Sequence, residues 1–159
     1  MLEKNGIPTP EQVKSAFPPE NLLVRAKAVL ECYEEIPCNP CETNCPAGAI
    51  RIGEDINARP VLDAGKCTGC GICVGVCPGL AILTVSLRGD EAVFQIPWEF
   101  LPVPKEGDVW IGTDRAGKPL GDAKILRVRD AKGGDRTRIL TVSLPKQHLY
   151  DFVTVRCPE

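Results

Sequence analysis

Apolar and polar positions alternate most regularly in the second half of the chain. After residue 88, short runs with the two-residue period of half-buried strands fall at residues 92–96, 108–111, 123–129, 138–143 and 152–156. Turn-forming strings separate them, among them Arg115-Ala-Gly-Lys-Pro and Lys132-Gly-Gly-Asp. Five short strands in about 65 residues predict a small all-β, barrel-like unit over 88–159.

Upstream the pattern changes. Residues 1–25 are mixed in character and punctuated by proline, with Thr9-Pro-Glu-Gln opening a short helix over 11–16 and Pro18-Pro19 ending it. An arm lying on a surface is expected. Residues 26–87 hold only brief apolar stretches. Strands are expected there at 49–52 and 82–86, each after a helical turn, with Val61 and Leu62 pairing to the first and residues 28–30 to the second.

That middle segment repeats itself. Cys41-Glu-Thr-Asn-Cys45-Pro-Ala-Gly-Ala-Ile50 aligns with Cys73-Val-Gly-Val-Cys77-Pro-Gly-Leu-Ala-Ile82 at a constant offset of 32. The expected fold class is therefore α+β: a pseudo-twofold unit over 26–87, then a small barrel of the SH3-like or OB-like kind.

Composition narrows the setting. The chain has 159 residues, a formal net charge of −2 and a quarter of its residues charged, with no apolar stretch long enough to cross a bilayer. No membrane insertion is expected. Eight of the nine cysteines lie between Cys32 and Cys77, and only Cys157 remains after Arg88. Disulfides would need an export signal, and MLEKNGIPTPEQ has no apolar core to act as one, so a reduced, cytoplasmic setting is expected.

The cysteine spacing carries the chemistry. Cys67, Cys70, Cys73 and Cys77 are separated by two, two and three residues, and Pro78 follows the last. Cys38, Cys41, Cys45 and Pro46 repeat the last three positions of that run. Structural zinc takes two separated pairs in a closed tetrahedron and has no use for further thiolates packed so tightly, nor for a proline after each run. Runs of this kind suit iron–sulfur clusters.

Over residues 28–86 the sequence resembles the two-cluster bacterial ferredoxins. The resemblance implies two [4Fe-4S] clusters, each taking three thiolates from one run and a fourth from the other. By that exchange the first would take Cys32, Cys38, Cys41 and Cys77, and the second Cys67, Cys70, Cys73 and Cys45, with Cys157 spare. Cys32 departs from the pattern, whose spacing puts Glu35 at the ligand position. Two accounts fit. A three-residue insertion leaves Cys32 as the fourth ligand, since six residue steps of roughly 3.5 Å easily span a cube. Alternatively Cys32 is a buried hydrophobe and the first site has three thiolates, suiting a [3Fe-4S] cluster or a water-ligated iron. Thr68, Gly69, Gly71 and Gly75 are placed to let backbone amides approach sulfur. Glu31, Glu34, Glu35 and Glu42 would lower the first cluster's potential, unless water and salt screen them.

The flanks suggest a partner. His148 is the only histidine, with no nucleophile motif beside it, and no glycine-rich dinucleotide fingerprint is present, so no catalytic site of its own is expected. Lys124, Arg127, Arg129, Arg136 and Arg138 could form a basic face. From Glu91 onward, however, eleven basic residues face ten acidic ones, and no nucleic-acid partner is expected. Trp98 and Phe100, in Ile96-Pro-Trp-Glu-Phe-Leu-Pro-Val-Pro104, are candidate contact anchors. With this tail, Glu-Cys-Tyr-Glu-Glu-Ile-Pro-Cys-Asn-Pro-Cys-Glu and Lys-Cys-Thr-Gly-Cys-Gly-Ile-Cys resemble the small iron–sulfur subunits of FAD-dependent amino- or imino-acid dehydrogenases. That implies a hetero-oligomer with a flavin-dependent dehydrogenase subunit, FAD or FMN lying only in the partner. A free-standing ferredoxin serving several reductases is the alternative, and a zinc and nucleic-acid binding module the third.

Overall fold

The computed structural model describes residues 1–2, 4–132 and 136–158. In chain order the elements are α1 (Pro10–Ala16), β1 (Lys27–Leu30), α2 (Pro40–Thr43), β2 (Ile50–Arg51), β3 (Val61–Leu62), α3 (Ile72–Val76), β4 (Ile82–Arg88) and β5 (Glu91–Trp98). There follow β6 (Val109–Thr113), β7 (Pro119–Asp130), β8 (Arg138–Pro145) and β9 (Thr154–Arg156).

Seven strands form one antiparallel sheet in the order β1-β4-β5-β8-β7-β6-β9, and β2 pairs with β3 separately. Both expected hairpin pairings are present: Ile50 lies opposite Leu62, and Leu30 opposite Ile82. The C-terminal runs are strands as expected, but barrel closure is not shown. β1 and β9 are the two edges, with no pairing between them among the described residues. β4 hydrogen-bonds directly to β5, so β1 and β4 from the cysteine-rich half extend the C-terminal strands into one sheet. The Arg115 turn is present, with the backbone N–H of Gly117 donating to Asp114 O. The turn expected at Lys132-Gly-Gly-Asp lies largely outside the described residues.

Strand alternation gives the sheet two apolar faces. On β8, Leu140, Val142 and Leu144 join Phe94, Ile96, Trp110 and Phe152 in one core, while Ile139 joins Ala28, Ile82, Val74 and Ile50 in a second core beside the cysteines. The N-terminal arm covers the first core. A capping box starts α1, Thr9 Oγ1 accepting from the N–H of Gln12 and Gln12 Oε1 accepting from the N–H of Thr9. Val13, Phe17 and Leu23 are then buried in the core, so the arm is a cover and contributes packing.

Candidate metal centre

Local backbone chemistry positions the thiols. Cys41 sits on α2 and Cys73 on α3, short helices opened by Pro40 and by Gly71 in the left-handed region at φ 78°. The repeat extends to the hydrogen bonds. Ala49 N–H donates to Cys45 Sγ at 3.3 Å and Ala81 N–H to Cys77 Sγ at 3.4 Å, donors 32 residues apart like their acceptors. Ala28 N–H donates to Cys67 Sγ at 3.4 Å. Such bonds favour the thiolate that a metal needs.

The eight cysteines divide four and four around two cavities. Cys32, Cys38, Cys41 and Cys77 line the first, with Ile52, Pro60 and Ile82. Cys45, Cys67, Cys70 and Cys73 line the second, with Ala28, Ile50 and Thr84. Each set takes three thiols from one half of the repeat and the fourth from the other. Among the described residues no three His, Cys, Asp or Glu side chains converge closely enough to hold a single ion. Burial, then the Cys67, Cys70 and Cys45 thiols, pushes the Cys73 thiol up to about 12. Burial and then Cys77 push Cys41 up to about 11 and raise Cys32 as well. Thiols so placed resist ionising together unless a positive core lies between them. An iron–sulfur cube supplies that core, and the donor sets fit it.

Side chains distant in sequence lock both sites. At the second, Gln95 Nε2 donates to Gly69 O at 3.2 Å and to Thr84 Oγ1 at 2.9 Å. Arg129 Nη2 donates to Cys70 O at 3.2 Å and to Gln95 Oε1 at 2.9 Å, and Lys27 Nζ donates to Cys67 O at 2.7 Å. Burial, then the Arg127 charge, lowers the Arg129 pKa, though a guanidinium stays charged. At the first site the Arg115 guanidinium grips Glu31, beside Cys32, and donates to Tyr150 O at 2.7 Å. Gln95, Arg115 and Lys27 were not legible as site residues, because nothing in their local pattern marks them.

Other expectations shift. Glu31 is paired, so its charge is largely offset, and Glu34 Oε1 accepts from the N–H of Leu2. Gly69 and Gly71, at φ 69° and 78°, make close approaches to Ala26 and to the Arg129 and Gln95 side chains, and Gly75 lets α3 meet Ala131, which a Cβ there would strike. Trp98 is buried against Trp110, ring centroids 5.4 Å apart, whereas Phe100 is exposed. Cys157 is exposed and lines neither cavity.

Residues 36–81 match the family model described as a 4Fe-4S dicluster domain. Over 47 residues, 30% of this chain, the sequence is 51% identical to one subunit of the ion-translocating oxidoreductase complex of Methanosarcina acetivorans. Over 58 residues, 35% of this chain, it is 41% identical to the ferredoxin-type protein NapF of Haemophilus influenzae. Over 59 residues, 37% of this chain, it is 37% identical to the pyruvate synthase subunit PorD of Methanocaldococcus jannaschii. These matches cover 17%, 33% and 66% of the relatives' own lengths. No solved structure matches the chain at a significant level. Residues 36–81 are a 4Fe-4S dicluster ferredoxin domain for two [4Fe-4S] clusters, eight cysteines lie between 32 and 77, and a C-terminal antiparallel sheet is attached.

Proposed function

We propose that this protein is the electron-transfer subunit of an oxidoreductase complex whose other chain is a flavin-dependent dehydrogenase. The observation that carries the electron-transfer reading is the division of eight cysteines into two sets of four, lining separate cavities. On this reading Cys32, Cys38, Cys41 and Cys77 hold one cluster and Cys67, Cys70, Cys73 and Cys45 the other. When bound, the clusters take up and release electrons singly. The chain's own part is to hold eight thiolates, direct amide hydrogens at their sulfurs and exclude water with Ile50, Ile52, Val74 and Ile82.

Membership of a complex is supported by the relatives from Methanosarcina acetivorans and Methanocaldococcus jannaschii, which are subunits of larger oxidoreductases. The flavoprotein partner is supported by the resemblance of the cysteine strings and tail to the small subunits of amino- and imino-acid dehydrogenases. In that arrangement residues 88–159 do two things: they brace both cluster loops through Gln95, Arg115 and Arg129, and they dock the partner. No helix among the described residues is long and apolar enough to cross a membrane, and we place the complex in a reducing cytoplasm.

Purification of the native complex without oxygen tests this. About eight iron atoms per chain, the sum of two four-iron sites, and a co-purifying flavin-bearing chain are expected. Stoichiometric zinc with no visible absorption overturns the electron-transfer reading. Eight iron atoms with no stable partner would leave the free-standing ferredoxin.

A further inference from the structure

Of the eight cysteines lining the two cavities, Cys70 alone is exposed; Cys41 and Cys73 are buried and the rest half-buried. The second site therefore has a ligand-bearing edge at the surface, giving electrons their shortest way out. Two arginines stand beside it. Arg129 sits on Cys70 O through a guanidinium hydrogen bond at 3.2 Å. In the sheet register Arg129 lies opposite Ile139, Arg127 opposite Thr141 and Lys124 opposite Ser143, alternate positions of β8, so all three cations share the cysteine-bearing face of the sheet. Arg127 and Lys124 are exposed. Acidic groups border this strip: Asp122 lies near one end of β7 and Asp130 ends it, paired with Arg138 at 3.6 Å, while Glu91 Oε2 accepts from Ser143 Oγ opposite Lys124 and Glu106 Oε1 accepts from the N–H of Val128. The first site contrasts, with Glu34, Glu35 and Glu42 near its cysteines and no exposed thiol.

We propose that the face formed by Cys70, Lys124, Arg127 and Arg129 is the docking surface for the redox partner, and that the partner meets it with a carboxylate-rich patch. This rests on the electron-transfer reading and says where that transfer leaves the chain. Opposite charges steer encounter and fix orientation, which at this edge places the partner's redox centre over the exposed ligand. It also gives the C-terminal sheet a reason to be joined to the cluster domain, since Lys124 and Arg127 are exposed groups of β7 on the same face as Arg129, which bonds to the Cys70 loop.

The test uses the intact, iron-loaded protein in two arms. First, a carbodiimide, which joins amines to carboxylates in contact, is applied to the native complex. Cross-links to the partner should arise at Lys124, and not at Lys14 or Lys146, which lie beside Tyr150 and Glu20 on the other side of the sheet. Second, the reduced protein is oxidised by the anionic iron(III)–EDTA chelate and by cationic hexaamminecobalt(III). At low salt the double variant Lys124→Glu with Arg127→Glu should slow the anionic oxidant about fivefold and speed the cationic one, with the difference vanishing at high salt. Iron content and EPR spectra should stay those of the wild type, because neither side chain touches a cluster loop. Cross-links confined to Lys14 or Lys146, or oxidation rates indifferent to the charge reversal, overturn the proposal. Absence of iron from the purified chain would instead sink the electron-transfer reading, and the docking surface with it.

Discussion

Arg115, in the turn between β6 and β7, closes on Glu31 from 84 residues away, with Nε donating to Oε2 at 2.7 Å and Nη2 to Oε1. Both side chains are 10% exposed. Glu31 directly precedes Cys32, and the same guanidinium also binds Tyr150 O, so one arginine ties the first cluster loop to the far end of the sheet.

Removing one partner of a largely buried, fork-geometry pair strands the other charge. Arg115→Ala is expected to cost about 3 kcal/mol in denaturant unfolding, and Glu31→Gln a similar amount. The combination Glu31→Gln with Arg115→Met should cost clearly less than the sum. Additive losses would mean that the pair is not coupled. The first cluster should also bleach faster in Arg115→Ala than the second.

Cys32 is the proposed ligand whose spacing departs from the pattern, and it lies outside the matched segment of 36–81. Its thiol nevertheless faces Cys38, Cys41 and Cys77 across the first cavity. Cys32→Ser should lose the first cluster or turn it into a three-iron form with an oxidised EPR signal. Cys157→Ser should alter neither iron content nor EPR. Two intact four-iron clusters at wild-type potentials in Cys32→Ser would contradict the assignment.

Two glycines separate close backbone approach from close side-chain packing. A Cβ at Gly69 would strike the Ala26 carbonyl oxygen, at φ 69°. Gly69→Ala should therefore release the loop around Cys67 and Cys70 and deplete the second cluster. At Gly75 the obstacle is the Ala131 methyl, so Gly75→Ala pushes α3 off the sheet at a cost of about 2 kcal/mol. Iron content after desalting, and denaturant midpoints, distinguish the two outcomes. Combining Gly75→Ala with Ala131→Gly should restore much of the loss.

The N-terminal cover is latched by Tyr150, whose hydroxyl donates to Glu20 Oε1 at 3.0 Å, and by Lys146 at 3.4 Å from Oε2. The hydrogen bonds from Tyr150 and Lys146 lower the Glu20 pKa below its ordinary 4.5. A lowered carboxylate pKa stabilises above the ordinary value and loses that contribution as pH falls through the folded one. Burial, then Glu20, raises the Tyr150 pKa above 10, and its contribution is lost as pH rises through the raised value. Amide-exchange protection of residues 10–23 should thus be greatest between about pH 5 and 10 and weaken on both sides. Tyr150→Phe should flatten the alkaline limb.

The sequence by itself determined the ligands' neighbourhoods. Cysteine spacing, the proline after each run and the repeat at an offset of 32 act within a few residues, where chain reach limits the geometry, and so two cluster sites were legible. Strand positions were legible for the same reason, because a two-residue period reports which side is buried. Tertiary structure decided what lies across a distance. That β4 would pair with β5 and merge two expected units into one sheet depends on which edges meet, and an alternating pattern is indifferent to that choice. Arg129 reaches Cys70 over 59 residues and Arg115 reaches Glu31 over 84; along the chain both are ordinary charged residues in a strand or turn. Only the folded sheet brings their guanidinium groups to the carbonyl and carboxylate that need them.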